Sequence, residues 1–314
     1  MSIKDLVKIF EKIQGGQILT NNEYDQVKNY LGNRGLKDFL SNITFEDIED
    51  KRERFRLINF SSLDEHSLFR VISDTFSFNI NGISMSLLMP MFSYYKRNTI
   101  FYRIRKVVNN DCVFPIKKLQ VEQDVWNPPA QFVTKLGRLN KIGEPLLYTC
   151  PESPIPAVLE TRIPEGERFC MIEYEAIKDV KVVNIGMWKS NPDLSEEENL
   201  KMRMMMNLLG DLFSRDVGDG TEFLYRLSER IAKDYFDLPL EVQDGWCYPS
   251  VASKLFLNVC FRPEIAKSVL RVKDILIGTY KKTGDDFLFS FPIKANWDKD
   301  KNQFVFRFFM DDYE

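Results

Sequence analysis

The spacing of hydrophobic residues near the N-terminus predicts helices. Apolar residues recur at the intervals of three and four that form one face of a helix, at Leu6, Ile9, Phe10 and Ile13. Ser62 and Glu65 have the spacing of a capping box ahead of a further apolar stripe. A run of mixed charge at 46–56 is typical of a solvated helix face or a linker. We therefore predict a helical accessory domain over residues 1–95.

From residue 100 the pattern changes to alternation that is rich in β-branched and aromatic residues, which predicts strands. The segments with this pattern are 100–108, 145–149, 169–177, 180–185 and 255–261. Between them, short helices are predicted after Pro156, after a second capping box at Ser195 and Glu198, and over 221–236. The last part, 274–309, fits a meander of antiparallel strands. The predicted fold class is α+β, with a mixed, mainly antiparallel sheet domain over residues 96–314.

Composition narrows the kinds of partner. Hydrophobic residues make up 44% of the 314 residues and charged residues 28%, as in folded globular proteins. The 43 Lys and Arg residues nearly balance the 46 Asp and Glu residues, which leaves a formal net charge of -3. Such a chain has no electrostatic reason to bind nucleic acid or an anionic membrane surface, and we expect neither partner.

Histidine and cysteine usage excludes several kinds of site. His66, which we expect on a helix surface, is the single histidine, so mechanisms that need two imidazoles are excluded and no metal site is expected. The five cysteines are odd in number and lack C-x-x-C spacing, as expected of a reduced protein. The longest apolar stretch, 83–92, is shorter than the roughly 18 residues of a membrane span. With no signal-peptide pattern at the N-terminus, we expect a cytoplasmic location.

Four short motifs occur between residues 100 and 262. They are FYRIR at 101–105, GRLN-x-x-G with a following LY at 137–148, AVLE at 157–160 and DGWCYPS at 244–250. In this order and spacing the chain resembles the RES-domain family, which is named for its Arg, Glu and Ser residues. Leu139 stands where that family commonly has an aromatic residue. The resemblance says nothing about residues 1–95 and little about 263–314.

The resemblance implies a fold similar to that of the ADP-ribosyltransferases and an enzyme that consumes NAD. Members of the family are toxins and related enzymes. Some split NAD by phosphorolysis or hydrolysis, and at least one transfers ADP-ribose to a protein. The implied substrate is therefore NAD, with inorganic phosphate as co-substrate in phosphorolysis, and the implied partner of a toxin is an antitoxin protein.

The residue types of the motifs suit this reaction. Breaking the bond between nicotinamide and ribose builds positive charge on the sugar, as in glycoside cleavage. Nicotinamide leaves as a neutral molecule, so the reaction needs no general acid and is compatible with a single histidine. The site must place an anion near the developing charge. Glu160 is the hypothesised anion, and it can also orient the attacking group.

Two arginines of the motifs are the expected clamp for the diphosphate of NAD. Arg103 and Arg138 are assigned to it because guanidinium groups match phosphate oxygens. Arg105 lies on the same face of an ideal strand as Arg103 and could replace or assist it. For Arg138, a loop cap is the structural alternative.

The remaining motif residues are expected to contact the sugar or a ring. Tyr148 could stack on a ring or bond a ribose hydroxyl, with core packing as the alternative. Ser250, on a turn set by Pro249, could bond the ribose or the diphosphate, with the N-cap of a following turn as the alternative. Asn140 is included among the binding residues, although a turn former is the other interpretation.

Several readings stay open at this point. Glu160 could pair with Arg162 or Lys178 instead of serving a site. Glu173 and Glu175 resemble the paired glutamates of arginine-specific ADP-ribosyltransferases, but alternation with apolar neighbours also fits a half-exposed strand. For the whole chain, the alternatives to an NAD-degrading enzyme are a protein ADP-ribosyltransferase and, from another class, a non-catalytic interaction module.

Overall fold

The computed structural model describes residues 12, 20, 22, 23, 33–80, 83–107, 119–218, 220–252 and 255–309. The chain divides into two compact units. The first comprises residues 1–88 and 188–208, and the second comprises 89–187 and 209–314. The hydrophobic stripe predicted at 6–13 lies outside the described residues.

The first unit combines helices with one hairpin. Its N-terminal elements are α1 (Asn33–Leu40), α2 (Phe45–Arg56), α3 (Glu65–Phe76), β1 (Ser77–Ile80) and β2 (Ile83–Ser86). The charged run at 46–56 is confirmed as a helix whose polar residues are exposed or partly exposed around buried Ile48 and Phe55. His66 is exposed on α3, as predicted. The predicted cap Ser62 is wrong, because the Asp64 carboxylate directly before α3 accepts the Ser67 N–H at 2.7 Å.

The second unit is built on a large sheet. Its strands are β3 (Met91–Tyr95), β4 (Ile100–Lys106), β5 (Leu147–Pro151), β6 (Phe169–Ala176), β7 (Val180–Asn184), β8 (Gly245–Pro249), β9 (Leu257–Phe261), β10 (Leu270–Thr283), β11 (Asp286–Asp298) and β12 (Gln303–Phe308). Within the described chain they form one sheet in the order β12-β11-β10-β6-β4-β5-β9-β8-β7-β3. Only β7 and β8 are parallel; all the other neighbours in this described sheet are antiparallel. The predicted α+β class and the C-terminal meander are confirmed.

Four further helices complete the described fold. They are α4 (Ile155–Thr161), α5 (Glu196–Ser214), α6 (Leu224–Tyr235) and α7 (Pro263–Val269). The capping box of α5 is confirmed, since the Ser195 N–H donates to Glu198 at 2.7 Å and the Glu198 N–H donates back to Ser195 at 3.2 Å. None of the helices in the described ranges is long and apolar enough to cross a membrane.

The predicted boundary at residue 95 differs from the division in the structure. Residues 91–95 form β3, which pairs antiparallel with β7 and so belongs to the sheet unit. Residues 188–208, which the prediction gave to the second domain, belong to the first unit. Sequence reading missed β3 because its apolar residues continue the hydrophobic run of 83–92, and the partner strand is nearly ninety positions away.

One junction of the sheet is much shorter than its neighbours. β4 and β5 are paired only through Phe101 with Pro151 and Tyr102 with Cys150. From Arg103 onward β4 pairs with β6 alone, and β5 pairs with β9 over residues 147–149. The two strands therefore separate beyond Tyr102, and the facing backbone edges leave a wedge between them.

Candidate functional site

The wedge between β4 and β5 opens into a cavity of about 130 Å³. Its walls include three residues of the predicted site, Arg103, Tyr148 and Glu160. Further polar residues of the lining are Tyr102, Thr149, Cys150, Thr161, Tyr248 and Asn258. Residues that lie far apart along the chain thus meet where the sheet splits.

Glu160 is carried by the short helix α4. Pro156 in the first turn suits the start of a helix, because proline has the required φ and needs no partner for an N–H. Ala157 and Val158 are buried against the sheet and fix the helix. The helix ends at Arg162, which adopts the left-handed conformation with φ 51°. Glu160 therefore lies in the last turn of a helix that is held in place by its contacts with the sheet.

Three donors converge on one oxygen of Glu160. Oε1 accepts the Ser250 hydroxyl at 2.5 Å, the Val251 backbone N–H at 2.9 Å and the Asn258 amide Nδ2 at 2.8 Å. Oε2 takes part in none of these three bonds. The arrangement fixes the carboxylate through one oxygen and leaves the other available, although Glu160 is exposed as a residue.

The alternative partners of Glu160 are not its partners in the structure. Arg162 instead pairs with Asp216, with its Nη2 at 2.7 Å from Oδ1 and 3.0 Å from Oδ2. Lys178 is exposed on the turn between β6 and β7 and has no ion pair with Glu160. The carboxylate therefore depends on neutral donors and has no cationic partner among the described residues.

Ser250 supports Glu160 instead of presenting its hydroxyl to a ligand, which corrects the predicted role. Its side chain is fully buried, its hydroxyl donates to Glu160, and the same oxygen accepts the Ala252 N–H at 3.1 Å. Its backbone N–H donates to the Phe256 carbonyl at 2.9 Å and closes the turn that follows β8. The geometry makes Ser250 a positioning residue.

A thiol lies behind Asn258. Cys150 Sγ donates to Asn258 Oδ1 at 3.0 Å, so the amide oxygen is occupied and the amide nitrogen points to Glu160. Burial raises the pKa of the Cys150 thiol, and the negative charge of Glu160 raises it further. The thiol therefore stays protonated at neutral pH and can act as a donor in this contact.

Of the two arginines of β4, only one lines the cavity. Each donates through Nη1 to a backbone carbonyl of the segment before β5, Arg103 to Trp126 and Arg105 to Asp124. Only Arg103 also lines the cavity. Burial, followed by the charge of Arg103, lowers the pKa of Arg105 from its ordinary value. The structure thus separates Arg103, at the wedge, from Arg105, which serves the packing of β4.

Arg138 is buried and is part of the helix packing, which corrects its assignment to a diphosphate clamp. Its Nη1 donates to the Leu212 carbonyl at 3.2 Å and its Nη2 to the Arg215 carbonyl at 2.8 Å. These carbonyls belong to the C-terminal end of α5, where a cation compensates free acceptors and the helix dipole. Its guanidinium also lies 5.5 Å from the ring centre of Tyr225. Arg138 thus caps the end of a helix, and not the loop that the alternative proposed.

Tyr148 and Asn140 bind each other. The Tyr148 hydroxyl donates to Asn140 Oδ1 at 2.8 Å and accepts the Leu139 N–H at 3.2 Å. Burial raises the pKa of Tyr148 well above its ordinary value. Because the hydroxyl is used by this loop, Tyr148 offers the cavity ring surface, and Asn140 braces the loop without lining the cavity. A Cβ at Gly137 would collide with Asn140 Oδ1, so a larger residue there would displace the Asn140 side chain from Tyr148.

Glu173 and Glu175 are structural. Glu175 accepts two bonds from Arg271 on β10, at 2.7 and 3.0 Å, and Glu173 lies 3.9 Å from Lys273 on the same strand. Tyr174 between them is fully buried. The half-exposed strand predicted as the alternative to paired catalytic glutamates is confirmed in its geometry.

Sequence reading missed Asn258, the Val251 N–H and Cys150 as parts of this site. A signal existed for Asn258. It is a 3% exposed amide in the otherwise apolar strand LNVCF, and buried amides in strands need hydrogen-bond partners. The contributions of Val251 and Cys150 depend on tertiary geometry, because a backbone N–H and a buried thiol have no distinctive sequence pattern.

Among the described residues, no group of three or more His, Cys, Asp and Glu side chains could hold a metal ion. No family profile matches the chain, and no curated protein is significantly similar to it.

Proposed function

We propose that the chain binds NAD at the wedge between β4 and β5 and cleaves the nicotinamide–ribose bond by phosphorolysis or hydrolysis. The observation that carries the proposal is the convergence of three donors on Oε1 of Glu160, at the rim of a cavity that Arg103 also lines. The resemblance of the motifs to the RES-domain family supports the same assignment.

Glu160 would stabilise the sugar cation through Oε2. Anchoring Oε1 removes the rotational freedom of the carboxylate, so its charge is in place before the bond breaks. The donors around Oε1 are neutral, so none of them repels positive charge that develops on the ribose. A carboxylate in this position can also accept a hydrogen bond from attacking water or phosphate and direct it to the sugar.

Arg103 would hold the diphosphate. Its Nη1 is engaged by the Trp126 carbonyl, and the rest of the guanidinium can serve phosphate oxygens. The rings of Tyr102 and Tyr148 offer flat apolar surface for nicotinamide. Without Arg138, the clamp in this proposal consists of one arginine.

The cavity fits only the reacting end of the substrate. Its volume of about 130 Å³ is well below the roughly 300–1,000 Å³ of sites that enclose a whole ligand. The nicotinamide and the adjoining ribose would enter the wedge, and the adenosine half would extend outward past Arg103. We therefore expect nicotinamide mononucleotide, which lacks the adenosine half, to be a poorer substrate than NAD.

The test is an assay of purified full chain with NAD, with and without inorganic phosphate, and with Glu160→Gln as the matched variant. Glutamine keeps an oxygen for the three donors and removes the charge. We expect nicotinamide release that falls about 100- to 1,000-fold in the variant. Intact NAD with folded wild-type protein, or equal rates in both proteins, would contradict the proposal and favour a non-catalytic interaction module.

The products separate the forms of the reaction. Release that requires phosphate and yields a phosphorylated ADP-ribose identifies phosphorolysis, and free ADP-ribose identifies hydrolysis. Label that moves from NAD to a protein identifies ADP-ribosyl transfer. Because uncontrolled NAD loss kills a cell, an antitoxin that restrains the chain is part of the proposal, and co-expression that restores growth would identify it.

A further inference from the structure

A second and larger cavity lies in the sheet unit, beside β10, β11 and β12. Its volume of about 480 Å³ is within the range of roughly 300–1,000 Å³ that is typical of small-molecule sites. It shares no lining residue with the Glu160 cavity. Its walls combine two tryptophans with an excess of positive charge.

The positive charge of this second cavity is only partly neutralised. Two of its charged residues are paired with residues outside it, Arg271 with Glu175 and Asp274 with Lys294. Those pairs cancel. The charged residues that remain are Lys267, Lys273, Lys299 and Glu122. Lys273 forms a long ion pair with Glu173 at 3.9 Å. Lys267 and Lys299 then stand against Glu122, so the cavity keeps a small excess of positive charge and favours an anion.

The two tryptophans supply aromatic surface. Trp297 is partly exposed and packs edge to face on Phe304 with ring centres 4.9 Å apart, so its indole is held in place. Trp126 is buried, and its indole N–H, which has no hydrogen-bond partner among the described residues, is closed to solvent. The Lys267 ammonium lies 5.5 Å from the ring centre of Trp126 and donates to the Gln123 amide oxygen at 3.0 Å.

We propose that this cavity binds an aromatic anion of the nucleotide class. A planar base stacks on Trp297, and the phosphate is bound by the lysines at 267, 273 and 299. A free phosphate would use the lysines alone and would leave the Trp297 ring without a role.

Calorimetric titration of the full chain with AMP, adenosine and inorganic phosphate tests this site. We expect AMP to bind, with adenosine and phosphate each at least about tenfold weaker because each lacks one half of the contacts. Equal affinities for AMP and phosphate would overturn the nucleotide class. No heat of binding at millimolar AMP would overturn the site.

Variants locate the binding. Lys299 is exposed between β11 and β12, so Lys299→Ala removes charge without disturbing the core, and we expect it to weaken AMP binding several-fold. Lys178→Ala, at an exposed lysine away from the cavity, is the matched control and should bind AMP as wild type does. Since AMP is also half of NAD, Arg103→Ala is needed. Binding that is lost in Arg103→Ala but unchanged in Lys299→Ala would place AMP at the wedge and contradict the second site.

Discussion

The thiol of Cys150 donates to the side-chain oxygen of Asn258 at 3.0 Å. This contact decides which end of the amide faces Glu160, because an amide whose oxygen is already engaged can only turn its nitrogen the other way. The residue that touches the carboxylate is thus oriented by one that does not. A chain of three side chains, running from β5 through β9 to α4, sets the position of the proposed anion.

Asn258→Ala should lower kcat for NAD cleavage by about 10- to 100-fold, the effect typical of groups that orient an active-site residue. Cys150→Ala should cause a smaller loss, since the amide stays but loses its orientation. Cys150→Ser is the matched control, because serine keeps a donor, and it should retain most of the activity. Steady-state kinetics on the three variants would refute this relay if Cys150→Ser and Cys150→Ala proved equal.

Ser250→Ala should lower kcat and leave KM for NAD nearly unchanged. The reason is that the hydroxyl donates to Glu160 and is fully buried, so its loss misplaces the anion without removing a ligand contact. The measurement is a KM-against-kcat comparison at saturating phosphate. A rise in KM with unchanged kcat would instead indicate that Ser250 contacts the sugar or the diphosphate, as the motif suggested.

Arg103→Ala should raise KM for NAD more than Arg105→Ala does. Both side chains donate to a backbone carbonyl of the same segment, so both substitutions remove a comparable structural contact. Only Arg103 lines the wedge. Arg105→Ala is therefore an internal control for packing. Parallel KM values for the two variants, with equal thermal stability, would exclude Arg103 as the clamp.

Arg138→Leu should destabilise the fold. Removing the guanidinium leaves the Leu212 and Arg215 carbonyls without their donor, and a buried polar group left unpaired costs about 1–3 kcal/mol. Urea unfolding measures this change. An unaltered free energy of unfolding together with a higher KM for NAD would indicate that Arg138 binds the diphosphate of NAD.

The stability of the chain should decline at alkaline pH partly through Cys150. Burial and the charge of Glu160 raise the pKa of this thiol in the folded state, whereas the pKa of an unfolded cysteine is about 8.5. Below that pH both states keep the proton and the thiol adds no pH dependence. Above it the unfolded state releases the proton first, so the free energy of unfolding falls as pH rises. Cys150→Ser should reduce that slope, and urea unfolding from pH 8 to 11 would disprove the assignment if the slopes matched.

The sequence predicted the parts of the fold that depend on local pattern. Alternation predicted β4, β6 and β7 within two residues at each end, and the Ser195 capping box correctly marked the start of α5. It failed at β8, because a strand buried on both faces shows no alternation. It failed at β3 because the apolar residues of that strand continue the hydrophobic run before it.

The candidate site was predicted by residue type better than by role. Glu160 and Arg103 were expected at one site and both line the wedge. Arg138 was misassigned because an arginine beside glycine and asparagine resembles a phosphate-binding residue, and only the folded chain reveals the end of α5 beside it. Ser250 was expected to bond the ribose or the diphosphate, whereas its hydroxyl donates to Glu160, because the partner of a hydroxyl is decided by tertiary distances.

The two-residue pairing of β4 with β5 has the fewest paired residues of any junction in the described sheet. Along that line only two residue pairs join the backbones of the two halves of the sheet. A ligand bound at this junction would contact both halves of the sheet and link them. Ligand binding should therefore reduce the motion of both halves and slow amide hydrogen exchange even in strands that do not contact the ligand.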